Sequence, residues 1–164
     1  MQYTCSYSSP LGEMLIASDG SAVTGLWFIG QKYFGSTLEA EYAEKALPVF
    51  GQTVRWLDDY FQGNVPMEMP PVSFNSSSFR IRVWKLLMEI PYGHTVTYGE
   101  IARTLEKQTG RRICVQAVGG AVGHNPVSII VPCHRVIGSN GLTGYAGGLD
   151  KKLALLRLEG VNVH

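Results

Sequence analysis

The sequence predicts an α+β protein. A small N-terminal αβ lobe with an antiparallel sheet, residues 1–74, precedes a mainly helical C-terminal lobe, residues 75–164, that contains a helix-turn-helix. Three observations lead there. The first third alternates short runs of β-branched and aromatic residues with turns marked by Gly and Pro. The second half repeats apolar residues at helical spacing. Between them lies "NVPMEMPPVSFNSSS", polar and proline-rich, which reads as a linker or as a wrapped loop.

Taken in order, "YTCSYSS", "EMLIASD" and "AVTGLWFIG" are expected strands separated by "PLG" and "DGS" turns. "STLEAEYAEKAL" is acidic and amphipathic and predicts a helix. "FGQTVRWLDDYFQG" predicts another, with Val54, Leu57, Tyr60 and Phe61 at helical spacing and a stop at Gly63. In the second half, "SSFRIRVWKLLMEIPYG" opens on a serine cap, carries Phe79, Val83, Leu86 and Leu87 on one face, and stops at Pro91 and Gly93. "TVTYGEIARTLEK" follows, with Thr97 and Glu100 in a capping-box pattern. "RICVQAVGGAVGHN" is a third helix, "PVSIIV" a short buried strand, and "LDKKLALLRLEG" a last helix beyond a glycine-rich loop.

Composition sets the bounds. A hydrophobic content of 45% over 164 residues suits a globular chain and excludes a disordered one. No apolar run reaches the ~18 residues of a membrane span, and "MQYTCSYSSPLGEM" lacks the regions of a signal peptide. The cysteines, Cys5, Cys114 and Cys133, form no C-x-x-C pair, and their odd number argues against a disulfide framework. A reducing compartment is expected, cytoplasmic or, in a eukaryote, nuclear. Residues 1–79 carry 3 basic and 8 acidic side chains, whereas residues 80–164 carry 11 and 5. A basic half suits a polyanion, although chance partition of surface charge would look the same.

Thr97–Asn125 has the layout of a helix-turn-helix. Ile101, Ala102 and Leu105 give the first helix an inner face; Val115, Val118 and Ala121 or Val122 give the second one. The middle of the second helix, Ala117 to Ala121, holds Gly119 and Gly120 side by side. Each costs about 1 kcal/mol relative to alanine inside a helix, so something must offset them. Two readings fit equally: close packing within the protein, or a helix thin enough to enter a widened DNA minor groove. Arg111 and Arg112, at the N-terminus of this helix, suit phosphate contacts and add weight to DNA.

"IIVPCHRVIG" puts a thiol, a base and a cation side by side. Pro132 fixes its own φ and biases Val131 to an extended form, which makes the position of Cys133 rigid. An ordinary thiol is mostly protonated at neutral pH and needs a base or a positive field. His134 is the candidate base. Neighbours on a strand point to opposite faces, so contact with Cys133 needs a turn or a bridging water. A histidine base needs an orienting acceptor, and Glu159 is placed to fold back onto it. Asn125 is a candidate to hold loop backbone or take the thiol proton. Cys5 and Cys114 read as small buried hydrophobes. His94, His124, His134 and His164 are too scattered for a zinc site, and no metal or cofactor is expected.

"PCHRVIGSNGLTGYAGG", preceded by "GHNPVSIIV" and followed by "KKLALLRLEG", closely resembles the O6-alkylguanine-DNA alkyltransferases over roughly Phe79–Gly160. The resemblance implies an RNase H-like N-terminal lobe and a C-terminal DNA-binding and catalytic domain. It implies stoichiometric, irreversible transfer of an alkyl group from O6 of guanine to Cys133, with O4-alkylthymine as a further candidate, after the base is flipped from duplex DNA. His134 would deprotonate Cys133 through a water, Glu159 would orient His134, and Asn125 would join the network. Tyr98 would rotate the 3′ phosphate and protonate guanine N3. Val136 and the loop Ser139–Gly148, with Ser139, Tyr145, Ala146 and Gly147, would line the base pocket. Arg135 would brace the helix-turn-helix, and Gln116, Ala117, Gly119, Gly120 and Ala121 would meet the minor groove. The implied partner is double-stranded DNA bearing alkylated bases, met by a monomer, with cooperative binding left open and no membrane involved. One departure stands out: Gln116 occupies the place of the family's usual intercalating arginine. It lacks a planar cation to stack on bases, which predicts weaker capture of lesions in duplex DNA.

Overall fold

The computed structural model describes residues 1–142 and 144–162. The chain forms two compact units. One comprises Met1–Asn75 with Pro126–Ser128; the other comprises Ser76–Asn125 and the residues from Ile129 on. None of its helices, among the described residues, is long and apolar enough to cross a membrane.

In the first unit, β1 (Gln2–Ser9), β2 (Gly12–Ser18) and β3 (Val23–Phe28) form an antiparallel meander, and β4 (Tyr42–Glu44) joins β1 in parallel, giving the order β3-β2-β1-β4. Helix α1 (Pro48–Phe61) packs on β1, β2 and β3. Proline at its first turn suits a helix start, and its inner face buries Val49, Phe50, Thr53, Trp56, Leu57 and Tyr60. Val54 and Phe61, expected inside, are only half-buried. The free edge of β3 is covered twice. Val23 exchanges bonds with Pro71 and Ser73, and Leu26 with Pro126 and Ser128. Covering an edge in this way prevents its pairing with other chains. The proline-rich stretch is therefore wrapped along the sheet.

"STLEAEYAEKAL" is not a helix. Residues 36–47 form turns and β4. A helix of that length is marginal unless it buries a face, whereas the backbone here satisfies the open edge of β1. Gln2 Oε1 accepts from the Glu39 amide at 2.7 Å, and Lys45 lies over the Tyr3 ring.

In the second unit, α2 (Ser78–Leu87) and α3 (Tyr98–Thr109) flank α4 (Val115–Gly123), and α5 (Leu149–Leu158) closes the chain. Sequence cues set the boundaries well. The Ser77 hydroxyl caps α2, Thr97 and Glu100 form the reciprocal capping box of α3, and Gly110 ends α3 at φ +69°. Ile101, Ala102 and Leu105 are buried, as are Val118, Ala121 and Val122, whereas Val115 is exposed. On α2, Trp84 is buried beside Val83 and Leu87, its indole donating to the Ala121 carbonyl at 2.8 Å; Phe79 and Leu86 are half-buried. A short parallel pair, β5 (Val96–Thr97) with β6 (Val136–Ile137), links the start of α3 to the segment after the cysteine.

"PVSIIV" is not a strand beyond a single bridge, Val127 to Leu26. Pairing ends because the chain turns at Ile129, whose φ of +70° is rare for a β-branched residue. Such strained backbone concentrates at functional sites.

Candidate active site

Cys133 sits where two tight turns meet. Pro132, at φ −83° and ψ 65°, makes an inverse γ-turn in which the Cys133 amide donates to the Val131 carbonyl at 2.8 Å. Cys133–Arg135 then form one turn of 3-10 helix, closed by the Arg135 amide on the Pro132 carbonyl. The turn supplies what an extended strand could not, a cysteine and a histidine that both point inward: Cys133, His134 and Arg135 are all buried.

Asn125, at the end of α4, reaches across to this turn. Its Nδ2 donates to the Val131 carbonyl at 2.7 Å, and its side chain also bonds the Cys133 thiol. Burial pushes the thiol pKa up, while the Asn125 bond and the charge of Lys152 pull it down. Both opposing groups act on the thiolate, the nucleophilic form.

Behind the cysteine, His134 Nε2 lies 2.6 Å from Glu159 Oε2. Burial lowers the pKa of His134, opposed by the hydrogen bond and charge of Glu159. A neutral ring bonded to a carboxylate donates from Nε2, which fixes the tautomer. Glu159 also accepts from Arg135 Nε at 2.8 Å, from Arg135 Nη2 at 3.2 Å and from the Gly93 amide at 3.0 Å. The sequence expectation had Arg135 bracing the helix-turn-helix. Its described bonds run to Glu159 beyond α5 and to the Ile90 carbonyl just past α2, in the turn that leads into α3.

Lys152 was not singled out in the sequence. It is fully buried on α5, and its Nζ donates to the Val136 carbonyl at 2.6 Å and the Gly144 carbonyl at 3.3 Å. It thereby ties β6 to the loop expected to line the base pocket. Burial brings its pKa down to about 8, with Cys133 pulling the other way. The one available signal was a lysine on the same helix face as Leu155 and Leu156, which are buried.

The remaining expected residues are dispersed. Tyr98 is the half-buried first residue of α3. Val136 is buried in β6; Ser139 is exposed, and Tyr145, Ala146 and Gly147 are half-buried. The loop turns sharply where Gly138 and Gly141 bond each other, and it meets α5 at Gly148. Thr143 of that loop and His164 lie outside the described residues. Among the described residues no cluster of three or more His, Cys, Asp or Glu is arranged to hold a metal ion.

The start of α4 has a different character. Arg111 and Arg112 are exposed in the turn before it, and Cys114, Gln116, Ala117 and Gly120 are exposed on it. Cys114 is thus not a buried hydrophobe. The helix begins only at Val115, which leaves the thiol at the cap position, donating to Gln116 Oε1 at 2.8 Å. Cys5 is half-buried in β1. A Cβ added at Gly119, Gly120 or Gly123 would meet no described atom within 4 Å. Close internal packing is therefore not what these glycines serve.

Similarity to known proteins fits this geometry. Residues 78–161 match the DNA-binding domain of 6-O-methylguanine DNA methyltransferases, and residues 2–70 match the ribonuclease-like domain of the same proteins. The chain belongs to the 6-O-methylguanine DNA methyltransferase family. The methylated-DNA–protein-cysteine methyltransferase of Mycobacterium tuberculosis is 44% identical over 152 residues, covering 92% of this chain and 88% of its own. That of Methanosarcina acetivorans is 42% identical over 163 residues, covering 96% and 98%. Among solved structures, the M. tuberculosis O6-methylguanine methyltransferase superposes with a TM-score of 0.82 at 41% identity, covering 97% of this chain and 93% of that one. A structure of the M. tuberculosis protein in complex with DNA superposes at 0.81 with 40% identity, covering 96% and 91%. Family membership thus accounts for the mixed α+β fold.

Proposed function

We propose that this methyltransferase repairs O6-alkylguanine in duplex DNA by a single direct transfer to Cys133. The observation that carries this reading is the buried Cys133 turn, held by Asn125 and backed by the His134–Glu159 pair. A proton leaves the thiol through a water to His134 Nδ1, while Glu159 stabilises the imidazolium that forms. The thiolate sulfur attacks the alkyl carbon, the C–O6 bond breaks, and its electron pair stays on the purine. The purine takes up a proton, with Tyr98 as donor at N3, and leaves as guanine. The thioether is stable, so each molecule acts once.

Two features support delivery by α4 through the minor groove: the absence of side chains at Gly119 and Gly120, and the exposed Arg111 and Arg112 ahead of them. Gln116, in the position where the family's arginine intercalates, fills volume and hydrogen-bonds, but it adds no charge.

Stoichiometry tests the reading. Titrating the protein with a duplex carrying O6-methylguanine should consume one lesion per protein and then stop. Continued turnover would instead mark a thiol hydrolase.

A further inference from the structure

The turn between α2 and β5, Ile90 to His94, encloses the Arg135–Glu159 pair on several sides. The Ile90 carbonyl accepts from Arg135 Nη1 at 2.7 Å. The Tyr92 ring lies 5.7 Å from the Arg135 guanidinium, within cation–π range, and its hydroxyl reaches the Leu158 carbonyl at 3.4 Å. The Gly93 amide donates to Glu159 Oε1 at 3.0 Å. Gly93 has φ +79°, and a Cβ there would stand 3.2 Å from the Glu159 carbonyl oxygen. Both facts favour glycine. The carboxylate that holds His134 is thus itself aimed from the opposite side by backbone.

We infer that Tyr92 and Gly93 are positioning residues for the alkyl transfer, setting the Glu159 carboxylate so that its Oε2 meets His134 Nε2 while Oε1 is occupied. This rests on the relay proposed above. The Gly93 amide and the Arg135 guanidinium spread the negative charge of Glu159 over three donors, which keeps the carboxylate from drawing a proton onto His134. With the Gly93 bond lost, charge concentrates on Oε2 and His134 holds a proton to higher pH. The same turn leads directly into β5 and α3. The relay and the helix-turn-helix therefore share one support.

The test uses the full chain with two readouts: the rate of Cys133 alkylation by free O6-benzylguanine as a function of pH, and the ¹⁵N signals of the His134 ring. In Gly93→Ala the acidic limb of the rate profile should move to higher pH. The rate at neutral pH should fall by roughly tenfold, the scale of one hydrogen bond to a charged group. The ring signals should report protonation at higher pH. Tyr92→Leu should move both readouts the same way, and Tyr92→Phe, which keeps the ring, should recover most of the loss. Should Gly93→Ala fail to fold, the Tyr92 pair decides. Folded variants with unchanged ring titration and an unchanged profile would overturn the inference. Should the wild type not alkylate at all while the ring titration still shifts, the proposed function falls, whereas the setting of the Glu159–His134 pair by Tyr92 and Gly93 stands.

Discussion

The Cys133 turn and the start of α4 belong to the same unit and are built on opposite principles. Around Cys133 the polar groups are buried and tied together: Asn125 to Val131 and the thiol, His134 and Arg135 to Glu159, Lys152 to Val136 and Gly144. At the start of α4 the side chains are small and exposed, no side chain caps the helix, and the two adjacent glycines face open space. The first arrangement holds the thiol rigidly, as the proposed nucleophilic role requires. The second leaves a surface that a large partner can approach closely. On the proposed function, chemistry depends on crowding and delivery on its absence.

Substitutions separate the two. Cys133→Ala should abolish alkylation on duplex and free substrates alike; any residual transfer to the protein would show that the thiol at this turn is not the acceptor. Glu159→Gln should slow both reactions by about a hundredfold. It also leaves the buried Arg135 without a counter-charge, which should lower stability by about 3–5 kcal/mol, read by chemical denaturation. Lys152→Met should slow reaction with O6-benzylguanine by about tenfold, since a hydrogen-bonding cation is lost. The sign with pH follows from the directions above. The thiol is held up by burial, so the wild-type rate should rise with pH above neutral; without Lys152 that rise should begin at higher pH. Folded Lys152 loses its proton near pH 8 and the unfolded lysine near its ordinary 10.5. Stability should therefore increase as pH rises through that window in the wild type, and less so in Lys152→Met.

Changes on α4 should behave differently. Gln116→Arg should speed reaction with duplex DNA several-fold, by adding a cation that stacks on bases and attracts phosphates, and should leave the rate with free O6-benzylguanine unchanged. Equal effects on both substrates would place Gln116 in the chemistry and erase the contrast. The smallest effect is expected from Gly120→Ala. It should stabilise the helix by up to about 1 kcal/mol and still slow the duplex reaction, since the added methyl stands where DNA is expected.

Much of this was legible in the sequence where local rules decide. The capping box of Thr97 and Glu100, the cap at Ser77 and the glycine stop at Gly110 are short-range chemistry, and the helices begin and end there. Residues 36–47 defeated the same rules, because the open edge of β1 offered a better use for their backbone than a marginal helix. Ile129 was unreadable, since no pattern announces a β-branched residue in the left-handed region. In the site, Cys133, His134, Glu159 and Asn125 could be named from a motif. The Pro132 γ-turn that aims the thiol, the buried amine of Lys152 and the Gly93 amide could not. Each acts through backbone carbonyls or amides distant in sequence, which carry no residue-type signature. Cys114 was misplaced because the helix starts at Val115, three residues after the expected start at Arg112.

The most direct test is to incubate the protein with duplex DNA carrying O6-methylguanine and measure the mass of the peptide that contains Cys133. The account predicts one added methyl on that peptide, none on those containing Cys5 or Cys114, and a duplex restored to guanine. An unmodified Cys133 after the lesion has been bound, or methyl found on another cysteine, would contradict it.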